Sequence, residues 1–212
     1  MLFNLVDNNQ QGYYDMSEDT FFALPNTSRL LSLSEPDTLL LDAALFHATN
    51  EARNENGLPL LKYDASLYQA ASSHALSMIV NKFYGHVNPY SVLGKTADNR
   101  VRIRTKQFAR VAENIGQYQT IKSNEWIRVR WNKKAARYEY FYNEDGEVCP
   151  AYTYTEFARY AVKQWMESAH HRANLLSENY THVGCAARLI SNPYQERRAP
   201  YATLVQNFGG PL

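Results

Sequence analysis

The chain has 212 residues, of which 45% are hydrophobic and 20% are charged, so it is long enough for one domain with a substantial core. Its 22 basic and 21 acidic side chains give a net charge of +1, which argues against a protein that binds nucleic acid through a basic surface. The sequence contains no apolar run near the roughly 18 residues of a membrane span, so we expect no transmembrane segment. The unusual feature is the 16 tyrosines, because such amphipathic rings suit either a binding surface or a polar-edged core.

The start of the chain leaves its cellular compartment open. The opening MLFNLVDNNQQ lacks the basic start and apolar stretch of a signal peptide, so the protein is either cytoplasmic or a mature form without its leader. Residues 1–33 predict an irregular N-terminal extension, and residues 34–212 predict one domain. The two cysteines are too few for a disulfide framework. Either Cys149 and Cys185 form a single bridge, or Cys185 is a small buried hydrophobe.

Apolar residues at intervals of three and four predict three helices, each opened by a capping pattern of Ser, Thr or Asp. The helices are expected to begin at Ser34–Asp37, at Asp64 and at Thr153, and the first two to end near Gly57 and Val80. Two short strands are expected over about 182–190 and 201–208. Helices followed by late strands predict an α+β fold with helices packed on an antiparallel sheet.

An aromatic hairpin is predicted between the second and third helices. Residues 124–143 alternate aromatic and polar side chains around an Asn-Lys-Lys turn, within an inserted segment of about residues 118–150. Exposed Trp126 and Trp131 would form a platform for a ligand or a partner, since long insertions often carry binding function. The alternative is that one face of the hairpin only packs against the domain.

Three short segments hold most of the candidate chemistry. The first contains His86 after a glycine turn, the second contains Glu113, and the third contains Glu167 and His171. Glu167 and His171 would share a helix face if the helix continued that far. Two histidines with a carboxylate are a plausible Zn²⁺ set. The same groups would equally form a hydrogen-bonded network without metal, so both interpretations stay open.

The same segments, in this order, resemble the CAP superfamily of cysteine-rich secretory proteins, antigen 5 and plant pathogenesis-related 1 proteins, in its bacterial SCP-like form. The resemblance covers about residues 38–210 and depends on six motifs in register. These are N-E-A-R with G-L-P-L at 50–60, F-Y-G-H at 83–86, A-E-N-I at 112–115, W-M-E-S-A-H-H-R-A-N-L-L at 165–176, Y-T-H-V-G at 180–184 and V-Q-N-F at 205–208. It implies an α-β-α sandwich with a central antiparallel sheet and a large cleft.

In the family, the cleft carries two histidines and two glutamates, and some members bind Zn²⁺ or another divalent cation there. By motif position, His86 and His171 are the histidines and possible metal ligands, and Glu113 is one glutamate. The second glutamate falls at Ser168 in this chain. The adjacent Glu167 is offset by one residue, which turns a helical side chain by about 100°. Glu113 and Glu167 are therefore the candidate catalytic carboxylates.

The resemblance implies a secreted, periplasmic or cell-surface protein that binds a lipid, another apolar molecule or a protein partner, and it supplies no single reaction. Predicted ligand-binding residues are His86, Glu113, His171, Trp126 and Trp131. The alternative is a metal-assisted hydrolase or protease, in which the two histidines hold the metal and Glu113 is the general base. We also expect Arg100 and Arg172 to hold carboxylates inside the fold.

Overall fold

A computed structural model describes residues 12–123, 126–142 and 146–211. Its helices are α1 (Glu18–Phe22), α2 (Thr38–Glu55), α3 (Ala65–Val80), α4 (Ala97–Arg102), α5 (Tyr154–Glu167) and α6 (Ala169–Leu175), with a 3-10 helix over Pro25–Ser28. Its strands are β1 (Lys62–Tyr63), β2 (Arg110–Gln119), β3 (Arg128–Asn132), β4 (Arg137–Phe141), β5 (His182–Leu189) and β6 (Tyr201–Gly210). In these ranges, none of the helices combines the length and apolar character needed to cross a membrane.

The central sheet has the strand order β1-β5-β6-β2 and is antiparallel except for the short parallel pairing of β1 with β5. Helix α3 covers one face, where its alanines pack on Ile115, Ala186 and Val205. Helices α2 and α5 cover the other face and enclose the largest hydrophobic core. The predicted α+β sandwich of helices around a central sheet is therefore confirmed.

The helix starts follow the capping side chains. Asp64 accepts hydrogen bonds from the backbone N–H groups of Ser66 and Leu67, both at 2.9 Å, and Thr153 forms a capping box, so both predicted starts are confirmed. The first predicted start was wrong. The carboxylate of Asp37 accepts from the N–H of Leu40 at 3.0 Å, so α2 begins at Thr38 and not at Ser34.

Strand β2 was not predicted, although it contains Glu113. Its central residues are buried on both faces, so its side chains do not alternate between core and solvent. Polar residues such as Asn114 and Gln117 further obscure the strand pattern, because they interrupt the apolar run typical of a buried strand. This strand pairs with β6 along its whole length, from Arg110 opposite Gly210 to Gln119 opposite Tyr201.

The N-terminal segment packs on the main core along residues 12–33. Phe21 of α1 is fully buried and stacks on His47 of α2 at 4.3 Å between ring centroids. The ring of Tyr14 stacks on that of Tyr63 at 3.8 Å. A short helix and a 3-10 helix therefore form in a segment that the sequence predicted to be irregular. Residues 1–11 of the predicted extension lie outside the described residues.

Strands β3 and β4 form the predicted hairpin, apart from residues 124, 125 and 143, which lie outside the described residues. One of its faces packs on the body, because Tyr140 is buried and its hydroxyl donates to the carbonyl of Glu196 at 2.7 Å. Trp126 is 84% exposed and Trp131 is 42% exposed. The hairpin thus has one packed face and two surface tryptophans, and their role as a binding platform stays a prediction.

Both cysteines are free and buried, so no bridge joins Cys149 to Cys185. Cys185 lies on β5 beneath α2, and burial raises the pKa of its thiol to about 12. It therefore behaves as the small buried hydrophobe of the second alternative.

Candidate functional site

The candidate site lies at the open edge of the sheet, on strand β2. The loop after α3 brings His86 to one side of this strand, and α6 brings His171 to the other. We call the group of His86, Arg100, Glu113 and His171 the histidine site. A cavity of about 670 Å³ lies elsewhere, between α1, α2 and α5, so volume alone does not mark the histidine site.

A buried carboxylate organises the histidine site. Glu113 Oε1 lies 2.9 Å from His86 Nδ1, and its Oε2 accepts from Arg100 Nη2 at 2.7 Å. The side chains of Glu113 and Arg100 are almost fully buried, whereas that of His86 is 55% exposed. Because a carboxylate accepts hydrogen bonds, His86 donates to Glu113 from Nδ1, and its Nε2 is left for another partner. The sequence prediction that Arg100 holds a carboxylate is thereby supported by this contact.

Arg100 also fixes the loop that carries His86. Its guanidinium donates to the carbonyls of His86, Gly94 and Lys95 at 3.0 to 3.2 Å. A single buried cation therefore holds both Glu113 and the two ends of the loop in place. Arg172, the other arginine expected to hold a carboxylate, instead donates to the backbone carbonyl of Met166 at 2.8 Å.

Side-chain amides complete the site, although none of them was among the candidate residues predicted from the sequence. With its amide oriented to suit its neighbours, Asn207 donates to Glu113 Oε2 at 3.1 Å. Asn174 donates to the Asn114 side chain at 2.9 Å, and Asn114 donates to the His171 carbonyl at 3.1 Å. Asn114 and Asn174 belong to the motif segments of Glu113 and His171, and Asn207 belongs to the V-Q-N-F motif, so their signal was their position inside the motifs.

His171 offers an unused polar atom. Its ring Nδ1 is buried without a hydrogen-bond partner in the described structure. Burial lowers the pKa of His171, and the nearby charges of His86 and His170 lower it further. At neutral pH this ring is therefore uncharged, and a buried polar atom of this kind is costly until a ligand or water meets it.

Glu167 is not brought into the site. The backbone of Ser168 is extended, with φ −91° and ψ 121°, so α5 ends at Glu167 and a new helix carries His171. The carboxylate of Glu167 is exposed and accepts from Gln164 at 3.0 Å. The shared helix face that the four-residue spacing predicted does not form.

The structure does not supply the ligand set that a zinc ion needs. Catalytic zinc sites commonly have three protein ligands. In the ranges that the structure describes, no three His, Cys, Asp or Glu side chains lie close enough together to hold a metal. Both oxygens of Glu113 are already engaged, by His86 and by Arg100. The residues present therefore do not fit a three-ligand zinc centre, and no reaction step is assigned to a metal.

The open edge of β2 is partly covered by side chains. The N–H of Thr120 donates to the carbonyl of Pro200, so Thr120 faces β6. Alternate residues of an antiparallel strand face the same neighbour, so the carbonyls of the odd-numbered residues Glu113 and Ile115 point away from β6. The buried indole of Trp165 donates to the Ile115 carbonyl at 3.1 Å, and Asn174 reaches the Glu113 carbonyl at 3.5 Å. Helices α5 and α6 thus supply donors to the outer side of the strand.

The tryptophans lie far from the histidine site. The hairpin follows the end of β2 at Gln119. Gln119 is six residues from Glu113, a distance of about 20 Å along the strand. Its body contacts are with the segment between β5 and β6, such as the backbone hydrogen bond from Tyr138 to Tyr194. Trp126 and Trp131 therefore do not converge with His86 and His171.

The first motif has a structural role. Asn50 exchanges two hydrogen bonds with the backbone of Leu61, at 2.9 and 3.0 Å. Buried Arg53 donates to the carbonyls of Leu175 and Ser177, at 2.7 and 2.9 Å. These contacts tie α2 to the end of α6 and so position the helix that carries His171.

The family model of the cysteine-rich secretory proteins, named CAP, matches residues 46–208, more than three quarters of the chain. The chain belongs to the CAP family. Among proteins with curated functions, none matches this CAP chain significantly.

Solved structures show the same fold. An extracellular protein containing an SCP domain from Bacillus anthracis is 21% identical, with a TM-score of 0.52, and the match covers 84% of this CAP chain and 42% of that protein. An outer surface protein from Borrelia burgdorferi is 15% identical, with a TM-score of 0.50, and the match covers 79% of this chain and 90% of that one. The chain thus spans less than half the length of the Bacillus protein.

Because burial lowers the pKa of histidines in this CAP domain, we expect the domain to lose stability in mild acid. Burial lowers the pKa of His74, which lies behind the site with Nε2 2.9 Å from the Gly85 carbonyl. Below pH 6.5 the histidine is protonated in the unfolded chain but not yet in the folded chain. The free energy of unfolding therefore falls as the pH falls, by up to about 1.4 kcal/mol per pH unit for each such group. We expect urea unfolding of His74→Gln to show a shallower decline than the wild type.

The control for this measurement is His170→Gln, because His170 is exposed. Asp42 acts in the opposite direction, since burial raises its pKa from 3.8 to about 6 and its folded form takes up a proton first. The comparison is therefore made between variant and wild type at each pH. An unchanged slope in His74→Gln would show that this histidine does not contribute.

Proposed function

We propose that this CAP domain binds an amphipathic ligand non-covalently at the histidine site. The observation that carries the proposal is the buried Nδ1 of His171, which has no hydrogen-bond partner in the described structure and lies close enough to the ring of His86 for that ring to lower the pKa of His171. Together the two rings offer hydrogen-bonding atoms to one polar head group. Arg100 and Glu113 neutralise each other behind His86, so the site presents a polar surface without a free charge of its own.

An apolar surface beside the site supports a ligand with a hydrophobic body. Tyr84 and Val87 flank His86 in sequence, and each is 51% exposed. Partial burial raises the pKa of Tyr84, so part of this side chain is shielded from water. A chain-like ligand would cover these side chains while its head group meets the imidazoles, so its apolar area would leave water.

We propose further that the domain acts outside the cytoplasm, as a secreted, periplasmic or cell-surface protein. The family description names secretory proteins. The Bacillus relative is described as extracellular and the Borrelia relative as an outer surface protein. The two free cysteines neither require nor oppose this location, because they are buried away from oxidants.

The contacts of Glu113 disfavour the hydrolase alternative. A general base must reach the water that it deprotonates through a free oxygen. Each oxygen of Glu113 instead meets a donor of the protein, and its side chain is only 2% exposed. Glu113 is therefore interpreted as a positioning residue that orients His86.

The binding test uses dansyl-labelled undecanoic acid, a fluorescent amphiphile with an apolar chain. We expect His171→Phe to bind it about three- to tenfold more weakly than the wild type, because a planar aromatic ring is kept and a hydrogen bond worth about 1 kcal/mol is lost. The matched control is His170→Phe, which changes the exposed neighbour and should leave binding unchanged. Equal binding by the wild type and His171→Phe, or no binding by the wild type, would contradict the proposal.

The hairpin tryptophans are a second proposed binding surface, for a ligand or for a protein partner. Trp131 lies edge-on to Tyr138, with 4.9 Å between ring centroids, and Trp126 is open to solvent. The double variant Trp126→Ala/Trp131→Ala, titrated with the same probe, locates the ligand. Binding that is lost in this variant and kept in His171→Phe places the probe on the hairpin, and the reverse result places it at the histidine site.

A further inference from the structure

The loop that follows His86 exposes several apolar side chains at once. Val92 is 93% exposed and Leu93 is 75% exposed, and Tyr90 and Val87 are each more than half exposed. Single exposed apolar residues are ordinary on protein surfaces, but four within seven positions form a patch of the kind that marks an interaction surface. We call residues 87–93 the apolar loop.

The apolar loop is held at both ends, and its Tyr90 ring packs against Phe83 at 5.5 Å between ring centroids. The N–H of Asn88 donates to the Lys95 carbonyl at 2.8 Å, and its side chain donates to Ser77 of α3 at 3.0 Å. The N–H of Gly94 donates to Ser91 Oγ at 3.0 Å. With Arg100 bound to the Gly94 carbonyl at 3.1 Å, both ends of the loop are fixed to buried groups. Its exposed tips are therefore displayed in one arrangement, which reduces the entropic cost of docking.

Positive charge is concentrated in the segment that carries the apolar loop. Residues 80–113 contain seven basic side chains and two acidic side chains, a charge of +5, so the rest of a chain with net charge +1 carries −4. The two acidic members are paired, Glu113 with Arg100 and Asp98 with Arg102, each at 2.7 Å. Lys82 and Lys95 are exposed and flank the loop on its two sides. The near-neutral composition of the whole chain conceals this separation of charge.

We propose that the apolar loop docks on the surface of a membrane rich in anionic lipids. Exposed aliphatic and tyrosine side chains insert into the boundary between head groups and acyl chains, and each nearby Lys or Arg adds about 1 kcal/mol of attraction to an anionic surface. Val92 and Leu93 expose most of their side-chain surface, which suits insertion into a bilayer. The proposal does not depend on the function proposed for the histidine site, although it would place that site beside the lipid head groups.

Vesicle cosedimentation tests the proposal with the full chain. We expect the wild type to bind vesicles of phosphatidylcholine with about 30% phosphatidylglycerol at least tenfold more tightly than vesicles of pure phosphatidylcholine, because each lysine beside the loop is attracted to the anionic surface. Binding should weaken severalfold in high salt, because screening shortens the range of the lysine contribution. The double variant Val92→Glu/Leu93→Glu should lose at least tenfold in affinity.

The control is Val148→Glu, which introduces one such carboxylate at a residue that is 60% exposed in the hairpin segment. Binding of the dansyl probe by Val92→Glu/Leu93→Glu, together with its circular dichroism, checks that the variant is folded. Equal vesicle binding by this variant and Val148→Glu would overturn the proposal. Absence of wild-type binding would also overturn it and would indicate a protein partner for the loop.

Discussion

Arg100→Ala is expected to lower the free energy of unfolding by about 3–5 kcal/mol, because it strands a buried carboxylate without its cation. Glu113 would keep contacts with His86 and Asn207, but neither replaces a buried guanidinium at 2.7 Å. The carbonyls of Gly94 and Lys95 would lose their donor as well. Equilibrium unfolding in urea measures the effect.

The matched control for Arg100→Ala lies on the same helix. Arg102 pairs with Asp98 at 2.7 Å, but both side chains are more than 40% exposed. Such surface pairs contribute at most about 1 kcal/mol, so Arg102→Ala should remain close to the wild type. If the two variants lost equal stability, the buried pair would not hold the site together as the contacts indicate.

Gly184→Ala is expected to cost about 3 kcal/mol or more, at the upper end of overpacking substitutions. A Cβ atom at this position of β5 would lie 2.0 Å from the backbone nitrogen of Tyr68 and 2.3 Å from the carbonyl carbon of Leu67. Backbone atoms of a helix cannot move aside as a side chain can. Helix α3 would have to lift from the sheet, and the loop carrying His86 follows that helix. Thermal and urea unfolding both report this loss.

The control for Gly184→Ala is Gly85→Ala, where an added Cβ meets nothing within 4 Å. Gly85 precedes His86, so this control also shows whether the site tolerates a small change beside it. We expect a difference of at most about 0.5 kcal/mol from the wild type, as for most surface substitutions. A stable Gly184→Ala would mean that α3 is not packed against β5 as closely as the structure shows.

The sequence was most informative where structure is decided locally. The starts of α3 and α5 followed from Asp64 and Thr153, because a capping side chain acts within three residues of itself. The start of α2 was displaced to Thr38, since two capping candidates lie three residues apart and Asp37 is the one that accepts the helix N–H. Local chemistry thus fixed the helices to within about one turn.

Long-range contacts were less accessible. The motif resemblance selected His86, Glu113 and His171, and an arginine that holds a carboxylate was expected, but its pairing with Glu113 emerges only from the fold. The separation of Glu167 from His171 depends on the extended backbone of Ser168, which no periodicity reveals. Polar residues of β2 such as Glu113 and Asn114 can be buried because other elements supply their hydrogen-bond partners. Those partners are distant in sequence, so the strand was not recognised from its own residues.

The cover over the outer side of β2 bears on how the protein behaves at high concentration. A free edge strand is a template on which a strand of a second molecule can add. The Ile115 carbonyl is already occupied by a fully buried indole, and an incoming strand would have to displace Trp165 from the core to reach it. The sheet therefore ends at β2, and the protein can place its polar site on the rim of a sheet without aggregating through that rim.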